Sequence, residues 1–206
     1  GFALWNNTRG IFGGGYFQPA PIIYTTIDYV TIASTGNASV FGDISTDARS
    51  SASRGTASST RGIVSGGYSP SRAAVQNIIE YITISTLGDA QDFGDLSAAR
   101  RKHAYASNST RALAGGGETP GNTNLIDYIT IASLGDAIDF GDLSVARHDG
   151  AATASQTRGI FAGGDPQTDT IDFSTIATLG NATDFGNLIA ATDRICGLSD
   201  SHGGLG

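Results

Sequence analysis

The same phrases return four times along this chain, and self-similarity at a period near fifty residues means one supersecondary unit stacked into an array. Thr8-Arg9-Gly10, Thr60-Arg61-Gly62, Thr110-Arg111-Ala112 and Thr157-Arg158-Gly159 each open an apolar stretch that ends in a glycine doublet, at Gly14-Gly15, Gly66-Gly67, Gly116-Gly117 and Gly163-Gly164. The Arg-to-Arg spacings are 52, 50 and 47. After a variable loop comes an Ile-acid-aromatic triplet, beginning at Ile27, Ile79, Ile126 and Ile171. Fourteen residues beyond each Ile stands the Phe of a Phe-Gly pair, at Phe41, Phe93, Phe140 and Phe185. That interval does not vary.

Each unit reads as four short strands, a to d, separated by turn chemistry. In the third copy strand a is expected from His103 to Asn108, b from Arg111 to Gly116, c from Leu125 to Ala132 and d from Ala137 to Leu143. Strand c is rich in Ile, Thr, Tyr and Val, which suit a pleated surface. Helical apolar spacing is sustained nowhere, so almost no helix is expected. Four strands per unit of this length is the period of a β-propeller blade. The expected units are 1–48, 49–99, 100–146 and 147–193, followed by a partial fifth at 194–206, in one all-β domain.

Composition narrows the functional classes. Gly is 29 of 206 residues and charged residues are only 15%, so Gly, Ser, Thr and Asn stand where soluble helices carry Lys and Glu. The net charge is −7 and Lys102 is the one lysine, which leaves no electrostatic footprint for nucleic acid or an anionic membrane. No apolar run is long enough to span a bilayer and no basic-then-apolar leader opens the sequence. The absence of methionine leads to the expectation that these residues are part of a longer chain. Cys196 is the single cysteine, which excludes an internal disulfide framework.

The order of apolar strand, Gly-Gly, variable loop, Ile-acid-Tyr, strand-d aromatic and a following Arg resembles the kelch repeat over essentially the whole sequence. It departs in one place, carrying Phe41, Phe93, Phe140 and Phe185 where kelch repeats usually carry Trp. The Phe-Gly-Asp-Leu phrase is similar to a kelch-like variety of marine bacteriophage, especially cyanophage, structural proteins. The resemblance implies a propeller, ordinarily of six or seven blades; four and a half are present here.

Most of the repeated residues read as structural. The glycine doublets lack the Lys-Ser/Thr and helix start of a phosphate loop and read as positive-φ turns. The phenylalanines read as core between neighbouring sheets. Asp43, Asp95 and Asp142, and the strand-c acids Asp28, Glu80, Asp127 and Asp172, recur with arginines. Arg9, Arg61, Arg111 and Arg158 fall on strand b, and Arg49, Arg100, Arg147 and Arg194 precede strand a. Catalysis needs carboxylates driven apart in pKa, whereas acids repeated with arginines read as ion pairs or turn caps. His103, His148 and His202 occupy non-equivalent positions, so neither a zinc nor a copper site is expected, and no cofactor. The Asn-x-Ser/Thr triplets at Asn6, Asn37, Asn108 and Asn181 are expected by chance in such a composition.

Variation between copies is the better guide to recognition. The b–c loops run 11, 11, 8 and 6 residues, from Tyr16 to Thr26, Tyr68 to Ile78, Glu118 to Leu125 and Asp165 to Thr170. They share no phrase, whereas the a–b and c–d turns are nearly constant. Diverse loops on a rigid scaffold are where recognition is usually placed. Tyr16, Phe17, Tyr68, Arg72, Glu118, Asn122 and Gln167 are the candidate binding residues. The expectation is a non-enzymatic structural and binding module of a virion appendage, such as a tail fibre or adhesion device. Its partners are then other virion proteins or a host-surface glycan or protein, within an oligomeric assembly. The alternative is a secreted or surface bacterial adhesin or lectin.

Overall fold

A computed structural model describes residues 1–17, 22–45 and 54–199. The first unit holds β1 (Phe2–Trp5), β2 (Arg9–Gly13), β3 (Tyr16–Phe17), β4 (Ile22–Ile23), β5 (Thr26–Thr31) and β6 (Ser39–Asp43). The second holds β7 (Arg54–Ala57), β8 (Arg61–Ser65), β9 (Tyr68–Ser69), β10 (Ala74–Val75), β11 (Ile78–Thr83) and β12 (Gln91–Asp95). In the third lie β13 (Ala104–Ser107), β14 (Arg111–Gly115), β15 (Glu118–Thr119), β16 (Gly121–Asn122), β17 (Leu125–Thr130) and β18 (Ile138–Asp142). The fourth has β19 (Ala151–Ala154), β20 (Arg158–Ala162), β21 (Thr168–Thr175) and β22 (Thr183–Thr192). The long strands of each unit form one four-stranded antiparallel sheet in chain order, so the chain is all-β with four such sheets. Each expected strand of the third unit falls within a residue or two of the observed one. The sequence did not disclose the two-stranded hairpins β3–β4, β9–β10 and β15–β16, which lie inside the b–c loops.

The constant interval of fourteen has a mechanical cause. In every unit the register between third and fourth strands shifts at the Ile-acid step, for example Ile126↔Gly141 followed by Asp127↔Asp139. The residue skipped is the Phe. A bulge of this kind adds one residue to one strand and turns its side chain out of the ladder. The Gly after it has φ +143 at Gly141, where a Cβ would stand 2.5 Å from the Gly180 carbonyl oxygen of the next unit. Turn chemistry also explains the Thr-Arg phrase. Asn108 Oδ1 accepts from the Thr110 and Arg111 amides at 2.9 and 2.8 Å, and Asn6 does the same for Thr8 and Arg9, a side-chain mimic of a backbone turn. Two of the Asn-x-Thr triplets are therefore turn caps.

The core is divided into three, each part lying between consecutive sheets. Phe2, Leu4, Ile11, Ile27, Phe41 and Ile44 of the first unit meet Ala57, Val64, Ile82 and Ile84 of the second. Ile63, Ile79, Phe93 and Leu96 meet Ala112, Ala114, Ile129 and Ile131, and Leu113, Ile126, Phe140 and Leu143 meet Phe161 and Ile176. Polar links fasten the same junctions. Gly88, Gly135 and Gly180 donate to the carbonyls of Phe41, Phe93 and Phe140 at 2.8–2.9 Å. The expectation that all four phenylalanines are core fails at Phe185, which is 55% exposed: among the described residues no further sheet follows the fourth, and Ile195 reaches that side only near Gly163 and Leu188.

Arginine roles also differ from the expected pairing. Arg100 and Arg147 do form buried ion pairs, with Asp127 at 3.1 Å and Asp172 at 2.9 Å. The strand-b arginines instead lie over aromatic rings, Arg9 on Tyr29, Arg61 on Tyr81, Arg111 on Tyr128 and Arg158 on Phe173, at 4.5–4.8 Å. Three of them reach across the junction, Arg61 donating to the Ile131 carbonyl at 2.8 Å and Arg111 to that of Ile176 at 3.0 Å, with Arg9 likewise on Ile84. The Phe-Gly-Asp acids pair with no arginine among the described residues; their amides donate to the next turn, as Asp95 N does to Asp136 Oδ1 at 2.9 Å. Residues 194–199 of the expected fifth unit form no strand but follow β19 as β19 follows β13, with Arg194 N donating to Asp149 O as Asp149 N donates to Lys102 O. Arg49, His202 and the remainder of 200–206 lie outside the described residues.

Candidate functional site

The b–c loops and the connections leading into each first strand share one end of the array. Gly67 N donates to Arg100 O at 3.0 Å and Gly117 N to Arg147 O at 2.8 Å. The loops then bridge to the connections: Arg101 pairs with Glu118, and His148 with Asp165, through reciprocal backbone bonds of 2.7–3.2 Å. The glycine doublets make this approach possible. Gly116 has φ +69 and any Cβ there would overlap the Arg147 carbonyl, so they act as packed turns that reverse the chain.

The candidate residues divide into groups. Tyr16 and Phe17 form β3 and pair through the backbone with Ile23 and Ile22; residues 18–21 beyond them lie outside the described residues. Tyr68 is half-buried with the Arg101 guanidinium 5.7 Å from its ring centre. Arg72 and Gln167 are exposed, and Gln167 Nε2 reaches Asp193 at 3.5 Å. Asn122 ties the third loop to the fourth, with Nδ2 donating to Asp165 O at 2.9 Å and Oδ1 2.8 Å from His148 Nδ1. Glu118 is held by Arg101 at 3.1 Å and Lys102 at 3.0 Å. The Arg101 hydrogen bonds, with Lys102 beside them, lower its pKa to about 2. Tyr68, Glu118 and Asn122 thus converge on one strip, whereas Gln167 lies against Asp193 instead.

The strip has charged members that motif reading passed over. Lys102 also approaches Asp149 at 3.5 Å, and Asp149 pairs with Arg54 at 2.9 Å, so Arg101, Lys102, Glu118, Asp149 and Arg54 form one network across three units. A signal for it exists in the sequence: Arg101-Lys102-His103 and His148-Asp149 follow Arg100 and Arg147 at the same place in the repeat. A ligand at this strip would meet alternating charges already satisfied by one another, which suits a polar surface contact better than capture of a single ion.

Behind the strip, the first strands of all four sheets surround a cavity of about 440 Å³ lined by Ala3, Arg54, Tyr105, Asp149, Ala152 and Cys196 among others. Tyr105 Oη lies 2.6 Å from Ser65 Oγ, which lies 3.0 Å from His103 Nε2. His103 is fully buried, and burial, with Arg100 and Arg54 nearby, pushes its pKa well below 6.5. Ser65 is equally buried, so this Ser-His pair offers no accessible nucleophile. Among the described residues no three His, Cys, Asp or Glu side chains gather where they could share a metal ion.

No protein-family model matches the sequence, and no curated protein does. Among solved structures the chain is similar to that of YjhT, with a TM-score of 0.76 and 11% sequence identity, over 94% of this chain and 72% of the other. At that identity the likeness is one of fold.

Proposed function

We propose that the four sheets are consecutive blades of a kelch-like β-propeller and that the chain is a non-enzymatic structural and binding module. The arrangement of β1, β7, β13 and β19 around one cavity and the 0.76 TM-score support the blade reading. The observation that carries the functional reading is the contrast between ends of the array. The turns at one end repeat the same Asn- or Ser-capped geometry, whereas the b–c hairpins at the other differ in length and partners. A surface of unequal loops on equal sheets can be altered without disturbing the junctions that hold the fold. The repeated acids support the non-enzymatic reading, since Asp127 and Asp172 are consumed by Ser97 with Arg100 and by Ser144 with Arg147. The Phe-Gly-Asp-Leu phrase leads us to assign the module to a virion appendage, where the loops engage a host surface or a neighbouring virion protein.

The test is replacement of the Tyr68 to Ile78 loop, and separately of Glu118 to Leu125, by short Gly-Ser turns. With folding confirmed by circular dichroism, binding to host cells or incorporation into particles is expected to fall at least tenfold. Retention of both in both variants would show that the face carries no recognition.

A further inference from the structure

At the end of the array opposite the b–c loops, the turn between third and fourth strands borders a shallow hollow, and it does so in two units with the same set of positions. In the second unit the hollow holds about 160 Å³ and is lined by Tyr81, Thr83, Thr86, Leu87, Asp89 and Gln91 among others. In the first unit it holds about 100 Å³ and is lined by Tyr29, Thr31, Ser34, Gly36, Asn37 and Ser39 among others. Leu87 apart, the two sets correspond position for position at the 52-residue offset of these units. A Cβ on Gly36 or on its counterpart Gly88 would meet nothing within 4 Å, so both glycines border open space.

Part of this lining is explained by the fold. Gly88 donates to the Phe41 carbonyl, and Asp89 Oδ1 accepts from the Asp43 amide at 3.0 Å. Tyr81 is half-buried, edge-on to Phe93, with Arg61 over its ring. The remainder has no such role. Thr31, Thr83, Thr130 and Thr175 close the third strand of every unit and are exposed; three residues on, Ser34, Thr86, Ser133 and Thr178 add a second exposed hydroxyl. Leu87, Leu134 and Leu179 recur at one place in the turn with 51–58% exposure, outside the clusters that join the sheets. A single exposed leucine needs no explanation, but one repeated at the same place beside the same tyrosine or phenylalanine forms a designed apolar wall.

A ring and a leucine set among hydroxyls, an amide and a carboxylate suit a ligand that is itself amphipathic, with apolar C–H patches between hydroxyls that donate and accept. Sugars have that surface. Size and charge narrow the class: a hollow of 100–160 Å³ is smaller than the sites of drug-sized ligands and takes one ring. No cation lines either hollow and Asp89 lines the larger, so an acidic sugar is repelled and a neutral one admitted. We infer that the c–d turns are repeated, individually weak sites for single rings of a neutral polysaccharide, and that the array holds the polymer by engaging several units at once. The third unit repeats the lining with Tyr128, Thr130, Ser133, Leu134 and Asp136, and carries Ile138 where the second has Gln91. Sites that are weak singly gain greatly when one polymer spans them. Constancy of this end then serves ligand binding as well as the junctions, because a repeating polymer is met best by a repeating surface. The inference does not depend on the reading of the b–c loops, which lie at the other end.

Retention of the 206-residue chain on immobilised dextran, mannan and galactan, with polygalacturonate as the acidic control, tests it. Retention is expected on at least one neutral polymer and not on polygalacturonate. Thr31→Gln, Thr83→Gln and Thr130→Gln each place a longer neutral side chain at an exposed strand end beside a hollow, with folding checked by circular dichroism. Each alone is expected to weaken retention, and any two together to weaken it roughly tenfold or more, as loss of avidity requires. Replacement of the Tyr68 to Ile78 loop by a Gly-Ser turn is expected to leave retention unchanged, which separates this surface from recognition at the b–c face. Retention on none of the neutral polymers, or on polygalacturonate equally, overturns the inference. So does retention that survives the paired substitutions or is lost with the loop instead.

Discussion

Phe140 and Phe185 follow the same residues at the same distance, sit in the same bulge and touch the same kind of ring, yet one is 3% and the other 55% exposed. The difference lies entirely in the neighbouring sheet. Phe140 has the fourth unit against it, with Phe161 and Ile176 in the shared cluster, while no further sheet is described beside Phe185. In a stacked array the local sequence prepares a surface, and the adjacent unit converts it into core. Repetition in sequence therefore does not guarantee repetition in energetics.

The largest effect that could break this comparison is at the two rings. Phe140→Ala is expected to cost about 3–5 kcal/mol, as large-to-small changes in cores do, whereas Phe185→Ala is expected to fall within about 0.5 kcal/mol, as surface changes do. Urea midpoints measured at a concentration where the chain is monomeric would check it. Equal shifts would mean that Phe185 is covered after all. A second pair sharpens the point with charge. Asp127 is buried against Arg100 and receives Ser97, so Asp127→Ala strands a buried guanidinium and is expected to cost about 3 kcal/mol. Asp28, at the same place in the first sheet, pairs with no arginine among the described residues; Asp28→Ala is expected to cost about 0.5 kcal/mol or less.

What could be read from the sequence follows the same division. The bulge, the positive-φ glycines and the capped turns are local, and each leaves a phrase of fixed spacing: Phe-Gly, Gly-Gly and Thr-Arg. The four-stranded sheets follow from those phrases. Legibility ended where an outcome depends on what lies beside a unit. The exposure of Phe185 is of this kind, as is the placing of Arg61 and Arg111 over tyrosines and across to Ile131 and Ile176 rather than onto acids. At the candidate site, loop inequality located the surface, but the Arg101–Lys102–Glu118–Asp149–Arg54 network joins three units through residues whose signal is only the charged run after Arg100 and Arg147, which does not disclose the partners. Glu118 looked available to a ligand because its two cationic partners were seventeen and sixteen positions upstream.

A smaller effect distinguishes the third unit from its neighbours by pH. His103 is buried and held neutral, while Gly150 stands at the equivalent place in the fourth unit. A base whose folded pKa is lowered contributes stability that is fully present above its unfolded value of 6.5 and is lost as pH falls below it toward the folded value, since the unfolded chain takes up the proton first. Unfolding midpoints are expected to be level above pH 6.5 and to decline below it, and His103→Gln is expected to flatten that part of the profile. An unchanged slope in the variant would assign the decline to other groups.

The smallest effect belongs to the candidate site itself. Glu118 is an acid whose folded pKa is lowered, to about 2, chiefly by its bonds to Arg101. Its contribution is therefore present above the unfolded value of 4.5 and is lost as pH falls through that range toward 2. The side chain is partly in water, where such pairs are screened, so Glu118→Gln is expected to lower stability at neutral pH by less than about 1 kcal/mol, and less still in high salt. The gap between variant and parent should close as pH falls from about 4.5 toward 2. A gap of several kcal/mol, or one indifferent to salt, would mean that the network is part of the frame holding the loops rather than a surface laid upon it, and loop replacement at Glu118 to Leu125 would then test the fold instead of recognition.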